Sequence, residues 1–414
     1  MLRSSVRRPG ANRHGWAMRN QPIVTTAMSK PIYLDYHSTT PVDPRVLEAM
    51  LPYFTERFGN PASRQHAYGW DAQKAVDTAR AQVAALIGAT PGEIVFTSGA
   101  SESNNLAIKG AAYCLRETGR QLITAATEHK SVLDSFKKLK TEGWDVTFVG
   151  VDREGFVDLD ELRAAITDRT VLVSVMAGNN EIGTLQPLAE IGAIARERNV
   201  LFHTDAAQAA GKVPIDVQAM HVDLLSLTGH KYYGPKGAGA LFVRRRKPRI
   251  ELTCQIDGGG HENGFRSGTL NVPGIVGLGA AAEICRTNLD AERSRLGVLR
   301  DRLLAQLREG VENVHVNGPL GDRRLSHNLH VSFPGVDGER LLMALGDLAV
   351  STGSACSSGS AAASHVLDAI GATRIPGASI RFGVGRMTTE QEIDAAAARV
   401  VKVVQSLGSA PITA

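Results

Sequence analysis

The stretch that decides the fold class is residues 93–105, EIVFTSGASESNN, where a short apolar run leads through small residues into a helical pattern. The same succession recurs as far as residue 245. Runs typical of strands occupy residues 93–97, 122–125, 145–151, 171–175, 200–203, 224–227 and 237–243, and helical patterns follow from 101 and at 131–139, 159–166 and 188–197. Alternating strands and helices predict right-handed crossovers and a mostly parallel sheet with helices on both faces.

The pattern changes after about residue 290, and the 414 residues are enough for about two or three domains. Helical patterns at 291–310, 339–345 and 389–407 alternate there with strand-like runs at 327–333 and 379–382 and with a Ser/Gly/Ala-rich segment at 351–363. We therefore expect a large domain at 42–289. A smaller α+β domain is expected to combine 28–41 with 290–414 and to carry the 351–363 segment as a functional loop.

Composition excludes several classes of protein. Hydrophobic residues make up 43% and charged residues 21%, which is typical of a globular chain and excludes bulk disorder. No apolar run reaches the roughly 18 residues of a membrane-spanning helix. The four cysteines form no C-x-x-C pair, which argues against a disulfide framework and a structural zinc site and suits a reducing cytosol. We predict no metal site, no membrane contact and a cytoplasmic location.

The positive charge of the chain lies in its first 27 residues, which contain five arginines and no acid. Without these arginines the formal net charge of +4 becomes −1, so we expect no direct contact with nucleic acid. Residues 1–27 are interpreted as a basic, disordered extension of open origin. They resemble an organelle transit peptide, a stretch upstream of a true start at Met28, or an authentic arm, and we favour the second.

Polar residues follow three of the predicted strands at their carboxyl ends, where open parallel sheets bind ligands. Asp205 ends one strand, and Lys231 follows another within HKYYGPKG. Small residues around Ser101 open a helix, whose free N–H groups suit a phosphate. A helix cap built by Ser101 with Asn104 or Asn105 is an equally open interpretation of that segment.

These three features together predict a pyridoxal 5′-phosphate site. The amine of Lys231 would form a Schiff base, the carboxylate of Asp205 would hold the pyridinium N–H, and the helix end would bind the phosphate. Either Asp205 or Lys231 alone would be interpreted as an ordinary structural or surface residue.

Six segments in order along residues 31–407 resemble the cysteine desulfurases, which are class V members of the fold-type I pyridoxal phosphate enzymes. The segments are LDYHSTTP (34–41), TSGASESN (97–104), NNEIG (179–183), HKYYGPKG (230–237), RSGTL (266–270) and GSAC (353–356). The resemblance implies an α/β fold-type I transferase whose large domain holds a sheet of the seven-stranded type, with a smaller α+β domain beside it.

The resemblance also assigns roles to individual residues. Lys231 carries the cofactor, His129 stacks on its ring and shuttles protons, Asp205 pairs with the ring nitrogen, and Gln208 with the ring hydroxyl. The phosphate ligands are Ala100, Ser101, Thr228, His230 and, from a neighbouring subunit, Thr269.

The resemblance also places Asn180 among the cofactor-binding residues, and it assigns the substrate carboxylate to Asn180 and to Arg381, whose planar guanidinium suits carboxylates. Two alternatives stay open: Asn180 as a turn residue, and Arg381 as an ordinary ion-pair partner with Arg386 as its rival. The remaining histidines that we considered, His37, His203 and His261, are expected to be structural or rim residues. The remaining cysteines, Cys114, Cys254 and Cys285, lie in or beside apolar stretches and are expected to be inert packing cysteines.

Cys356 stands apart because it lies among small residues that suit a movable arm. The resemblance implies that it takes sulfur from L-cysteine, giving L-alanine and a persulfide for iron–sulfur cluster assembly or tRNA thiolation. It further implies a homodimer and a sulfur-acceptor protein. The alternatives are a selenocysteine lyase and a non-catalytic sulfur-relay subunit.

Overall fold

The computed structural model describes residues 30–245, 249–352, 364–374 and 376–408. The basic extension at 1–27 and Cys356, with nearly all of the predicted loop, lie outside the described residues. The helix bounds are α1 (Pro44–Met50), α2 (Pro52–Thr55), α3 (Ala67–Leu86), α4 (Ala100–Leu115), α5 (Lys130–Thr141), α6 (Leu159–Ala165), α7 (Leu188–Glu197), α8 (Val272–Gly310), α9 (Gly338–Ala344), α10 (His365–Ala369) and α11 (Glu390–Gly408). No helix in the described ranges is long and apolar enough to cross a membrane.

The strands are β1 (Ile32–Tyr33), β2 (Ile94–Thr97), β3 (Gln121–Ala125), β4 (Asp145–Val149), β5 (Thr170–Ser174), β6 (Leu201–Asp205), β7 (Leu224–Thr228), β8 (Gly239–Val243), β9 (His315–Val316), β10 (Asn328–Pro334), β11 (Leu348–Ala349) and β12 (Gly377–Gly383). Within the described residues, seven of them form the central sheet in the order β2-β8-β7-β6-β5-β3-β4. The predicted α/β fold with a mostly parallel seven-stranded sheet is confirmed.

Strand β8 is the exception to the parallel arrangement, because it pairs antiparallel with both β7 and β2. The segment 229–238 joins β7 to β8 directly, and it is shorter than the crossover of a dozen or more residues that a parallel pair requires. This short connection is the one that carries Lys231, so it keeps the lysine beside the end of β7.

Apolar side chains cover both faces of the sheet. Along β2, Ile94 and Phe96 pack into one buried cluster, and the intervening Val95 packs into a second. The first cluster includes residues of α3, α7 and α8, and the second includes residues of α4 and α5. Alternating side chains of a strand point to opposite faces, so a strand buried on both sides reads as a continuous apolar run.

Helix α8 is longer than the sequence pattern indicates, since the prediction begins it at residue 291 and the structure begins it at Val272. Its first half packs with the central sheet, and its second half packs with β10, β12 and α11 in a separate apolar cluster. The predicted boundary between residues 289 and 290 therefore falls inside one continuous helix, and the division into domains stays a prediction.

A second layer of structure follows α8. Strand β10 pairs antiparallel with β12 and with β9, and this register places His330 opposite Arg381. Strand β1 pairs with β11, and Asp35 bridges to Gly383 at the end of β12. The N-terminal segment that follows β1 (residues 34–41) is thereby held between this layer and the carboxyl edge of the central sheet.

Candidate functional site

A cavity of about 540 Å³ lies at the carboxyl edge of the central sheet. It is lined by residues that follow β2, β5, β6 and β7, by residues at the start of α5 and by residues of the N-terminal segment. The predicted site residues that line it are Ala100, Ser101, His129, Asn180, Asp205, Gln208, Thr228, His230 and Lys231. These nine predicted residues come from five separate segments of the chain, and the structure brings them to one cavity.

The phosphate candidate is the start of α4, with Ala100 and Ser101 as the first two residues of a 16-residue helix. The residue before the helix is Gly99, which has a φ of 153° and supplies no capping side chain. The alternative helix cap built by Ser101 is therefore wrong: Gly99 stands at the capping position. The first N–H groups of an α-helix lack partners within it, and Ala100 and Ser101 line the cavity, as an anion site requires.

Thr228 and His230, the other two phosphate candidates from this chain that line the cavity, lie across it from the start of α4. An added Cβ on Gly99 would stand 3.4 Å from Thr228 Oγ1, so the two segments approach closely. Nδ1 of His230 lies 3.2 Å from Thr39 Oγ1. Burial, with Lys231 and Lys236 adding to it, lowers the pKa of His230 to about 4. His230 is consequently neutral at pH 7 and acts as a polar ligand rather than a cation.

Lys231 ends a short 3-10 turn that begins directly after β7. Its Nζ donates to the main-chain carbonyl oxygens of His37 and of Ser38, the latter at 2.9 Å. The turn is itself held by the N-terminal segment, because the main-chain N–H of Thr40 donates to the carbonyl of His230 at 2.9 Å. The N-terminal segment thus fixes both the backbone and the amine of this lysine.

Asp205 is the last residue of β6 and is 3% exposed. Its Oδ1 accepts the main-chain N–H of Ala207 at 2.9 Å, and its Oδ2 accepts Nδ2 of Asn104 at 2.7 Å. A carboxylate offers about four acceptor positions, so Asp205 can accept a further N–H from a molecule in the cavity.

His129 stands at the capping position of α5, where its Nδ1 accepts the main-chain N–H of Ser131 at 3.1 Å. Burial lowers the pKa of His129, and the neighbouring Asp205 carboxylate acts in the opposite direction. The imidazole is therefore poised beside the cavity in its neutral form at pH 7.

Gln208 is joined to His37 by two hydrogen bonds. Its Nε2 donates to the main-chain carbonyl of His37 at 3.0 Å, and its Oε1 lies 3.1 Å from Nδ1 of the same histidine. His37 is buried and stacks on His327 with ring centroids 4.4 Å apart. The structural role expected for His37 agrees with this geometry, and Gln208 also lines the cavity.

Arg381 lies behind the cavity and is 1% exposed. Its guanidinium donates to Asp35 Oδ1 at 2.9 Å, to Ser38 Oγ at 3.0 Å and to the carbonyl oxygen of Asn180 at 3.0 Å. The predicted carboxylate ligand is thus already paired with a carboxylate of its own chain. Its rival Arg386 pairs with Asp43 and Glu292 away from the cavity.

The structure separates two other predicted residues from the cavity or leaves them out. Thr269 is exposed and does not line the cavity of its own chain. Cys356 lies outside the described residues. Among the other cysteines, Cys285 is buried as expected, but Cys114 is exposed, so the prediction of a packing role for Cys114 is wrong. Cys114 lies near the C-terminal end of α4, on its solvent side.

Several residues that line the cavity were not predicted as site residues from the sequence, among them Ser38, Thr39, Ser131, Met176 and Lys236. Ser38, Thr39 and Lys236 lie within segments quoted for the resemblance, so their position in the motif was a usable signal. Ser131 follows His129 by two residues, and no feature of the sequence distinguished it from an ordinary helix residue.

The chain is similar to known proteins over most of its length. The sequence pattern of the family Aminotransferase class-V matches residues 32–396. The chain is 57% identical over 368 residues to "Cysteine desulfurase IscS" of Anaeromyxobacter dehalogenans (strain 2CP-C), covering 89% of this chain and 91% of the relative. It is 56% identical over 368 residues to the "Cysteine desulfurase IscS" of Neisseria meningitidis serogroup C / serotype 2a, covering 89% of this chain and 90% of the relative.

Solved structures agree. A "NIFS-LIKE PROTEIN" is 38% identical with a TM-score of 0.84, covering 91% of this chain and all of that one. "SspA in complex with cysteine" is 40% identical with a TM-score of 0.75, covering 85% of this chain and 98% of that one. The chain belongs to the class V aminotransferase family. Within that family it groups with the cysteine desulfurases, which confirms the resemblance, the fold type and pyridoxal 5′-phosphate as the cofactor.

The described residues fit this cofactor. The cavity presents the amine of Lys231 directly after β7, the buried carboxylate of Asp205 with spare acceptor capacity, and the start of α4 at Ala100 for a phosphate. These are the three groups that an aldehyde, a pyridine nitrogen and a phosphate ester need. All three lie on one sheet edge, so a single molecule can contact them together.

Proposed function

We propose that the protein removes sulfur from L-cysteine with pyridoxal 5′-phosphate, giving L-alanine and a persulfide on Cys356. The observation that carries this proposal is the convergence of Lys231, Asp205 and the start of α4 on one cavity in a chain of the cysteine desulfurase group. When bound, the cofactor would supply an electrophilic carbon and a ring that accepts an electron pair from the substrate.

Residues of the chain would bind the cofactor and move the substrate proton. Ala100, Ser101, Thr228 and His230 would hold the phosphate, and Asp205 would keep the ring nitrogen protonated. Lys231, whose Nζ is held by carbonyl oxygens of the N-terminal segment, would remove the proton from the substrate Cα.

His129 and Cys356 would handle the sulfur step. The Cys356 thiolate would attack the substrate sulfur, and the C–S bond would break with its electron pair passing to the substrate carbon. That carbon then takes up a proton to become the methyl group of L-alanine, and the sulfur stays on Cys356 as a persulfide. His129 would exchange the proton that this step requires, because its imidazole is neutral at neutral pH and borders the cavity.

Substrate selection is assigned to Asn180 and Arg381. A substrate carboxylate can replace Asp35 Oδ1 as the partner of Arg381, since both are carboxylates and the guanidinium lies directly behind the cavity wall. This exchange couples arrival of the substrate to release of Asp35 in the N-terminal segment that also holds Lys231.

We further propose a homodimer in the cytoplasm. Thr269 is exposed in its own chain, as a residue that completes a partner's cup would be. Aromatic side chains at Phe54, Phe58, Tyr68 and Trp70 are each more than half exposed, and the rings of Phe58 and Tyr68 lie 5.3 Å apart. Aromatic side chains are enriched at protein interfaces. A monomeric molar mass by sedimentation equilibrium at micromolar concentration would contradict the homodimer.

The sulfur acceptor is proposed to be a protein of iron–sulfur cluster assembly or of tRNA thiolation. The relatives named above carry the designation IscS. Membership of the cysteine desulfurase group supports a persulfide product, and a persulfide needs a thiol-bearing acceptor for its sulfur atom.

The test is turnover of L-cysteine by the cofactor-loaded enzyme in the presence of a thiol reductant. We expect L-alanine and sulfide in equal amounts, loss of both with Cys356→Ser, and retention of both with Cys114→Ser, which removes an exposed cysteine instead. Selenocysteine turnover without cysteine turnover would favour the lyase alternative. A Cys356→Ser variant that releases sulfide at the wild-type rate would contradict the proposal.

A further inference from the structure

A continuous set of hydrogen bonds joins Asp205 to His129 through two residues that the proposed mechanism does not use. Nδ2 of Asn104 donates to Asp205 Oδ2 at 2.7 Å and to Ser131 Oγ at 2.8 Å. Ser131 Oγ lies 2.8 Å from Nδ1 of His129. Asn104 on α4 is fully buried, and Ser131 on α5 lines the cavity.

The direction of each hydrogen bond follows from the chemistry of the partners. An amide nitrogen has two hydrogens, and Asn104 gives one to Asp205 and the other to Ser131. Rotating the amide by half a turn would place Asn104 Oδ1 against the carboxylate oxygen of Asp205, where two acceptors repel each other. The orientation of Asn104 is therefore fixed by Asp205.

This orientation sets the hydrogen of the next residue. Ser131 Oγ accepts from Asn104, so its own hydrogen is available for Nδ1 of His129. The main-chain N–H of Ser131 also donates to the same Nδ1 at 3.1 Å. With two donors directed at it, Nδ1 is an acceptor, and the proton of the neutral ring lies on Nε2.

We propose that Asn104 and Ser131 are positioning residues that hold His129 in the tautomer protonated at Nε2 and tie its orientation to Asp205. The position of the imidazole proton follows from these hydrogen bonds within the chain. Only its use in desulfuration rests on the proposed function.

The burial of Asn104 supports a role beyond packing. Its Oδ1 is buried and accepts no hydrogen bond from any described residue, which costs free energy of folding. A small apolar side chain at this position would avoid that cost. The two donated hydrogen bonds are what the amide provides in return.

The groups that face His129 determine how its charge responds to pH. They are Asp205 from β6, Lys231 from the turn after β7, His365 from α10 and Asp134 from α5. Burial is the main reason that the pKa of His129 is low, and Lys231 and His365 act in the same direction. Protonating Nδ1 would also displace both donors of Ser131, so the hydrogen bonds from Ser131 further oppose the imidazolium form.

The test compares Ser131→Ala with two other variants by a readout that needs no turnover. The pKa of His129 is measured from the pH dependence of its carbethoxylation by diethyl pyrocarbonate, followed by peptide mass spectrometry of the full-length enzyme with and without cofactor. We expect Ser131→Ala to raise this pKa by about half to one pH unit, the equivalent of one lost hydrogen bond.

Two variants separate positioning from packing. Ser131→Thr keeps the hydroxyl and is expected to retain the wild-type pKa of His129. Ser135→Ala removes a buried hydroxyl from the next turn of α5, where it donates to the carbonyl of Ser131, and is expected to leave that pKa unchanged.

The tautomer is read separately from ¹⁵N chemical shifts of histidine-labelled protein, with the His129 signal assigned by its loss in His129→Gln. A protonated Nε2 with an unprotonated Nδ1 supports the inference, and so does a mixture of both tautomers in Asn104→Ala. A wild-type ring protonated at Nδ1, or equal pKa values for His129 in Ser131→Ala and Ser135→Ala, would overturn it. Because neither readout uses cysteine, a failure to desulfurate would leave this result standing.

Discussion

Replacing Asp205 with asparagine tests the electrostatic part of the site most sharply. The carboxylate is 3% exposed and accepts one hydrogen bond on each oxygen, from Ala207 and from Asn104. In Asp205→Asn the amide can keep only one of these donors, and its NH₂ group then faces the other. The cofactor nitrogen would lose its anionic partner at the same time.

The size of the effect follows from the interaction that is lost. A hydrogen bond to a charged group contributes about 1.5–3 kcal/mol, which corresponds to a fall in kcat of about 10- to 150-fold. The donor left facing the new NH₂ group costs a further ~1–3 kcal/mol of stability. We therefore expect both a slower enzyme and a lower midpoint of thermal unfolding.

Asp223 provides a matched control. It is also a buried carboxylate, 7% exposed, but it precedes the amino end of β7, where its Oδ2 accepts the main-chain N–H of Phe202 at 2.9 Å and Arg244 pairs with it. Asp223→Asn is expected to lose comparable stability with kcat changed less than about twofold.

The assay is initial-rate formation of L-alanine from L-cysteine at saturating cofactor, with thermal unfolding measured on the same preparations. The reasoning fails if Asp205→Asn keeps kcat within about threefold of the wild type, or if Asp223→Asn slows turnover as much as Asp205→Asn does.

Three further outcomes are expected. Lys231→Ala should reduce L-alanine formation at least about 10³-fold, and turnover within about tenfold of the wild type would remove Lys231 from its role. Arg381→Lys should raise KM for L-cysteine about 10-fold or more by losing the bidentate fork, whereas Arg386→Lys should lower the unfolding midpoint and leave KM unchanged; the opposite pattern would assign the carboxylate to Arg386. Burial raises the pKa of Glu181 to about 7, so the Glu181 carboxyl binds its proton more tightly in the folded state than in the unfolded chain. The protonated carboxyl therefore contributes stability at low pH, and this contribution is lost as the pH rises from about 4.5 to 7. The free energy of unfolding of Glu181→Gln, measured with denaturant, should therefore rise relative to that of the wild type by up to about 3 kcal/mol between pH 5 and pH 8. The same difference between variant and wild type at both pH values would contradict the assigned burial.

The central sheet was predictable because its strands are buried on both faces and read as uninterrupted apolar runs. Strand β5, for example, is TVLVS in the sequence and lies within one residue of the predicted run at 171–175. The residues after β6 and β7 were predictable for a related reason, since ligands gather at the carboxyl ends of parallel strands.

The long helix α8 shows what sequence patterns could not reveal. Its first turns contain Gly274, Gly277 and Gly279, which lower intrinsic helix propensity and argue against a helix there. The structure needs these small residues, because an added Cβ on Gly279 would stand 2.5 Å from the Cα of Ala79 in α3. Tertiary packing therefore overrides propensity. Helix α3, which no sequence pattern had predicted, is the partner in that contact.

Within the site, the partners of the predicted residues were harder to foresee than the residues themselves. Asp35 on Arg381 and Asn104 on Asp205 are contacts between segments 346 and 101 residues apart in the chain. Such pairs depend on how the segment after β1 meets β12 and how α4 meets β6 in three dimensions, and no local pattern contains that information.

The most direct test of the account is mass spectrometry of the purified, cofactor-loaded protein after a brief exposure to L-cysteine without reductant. We predict one added sulfur atom, mapped by peptide fragmentation to Cys356 and absent from Cys356→Ser. Sulfur mapped instead to Cys114, Cys254 or Cys285, or L-alanine formed with no sulfur retained on the chain, would contradict it.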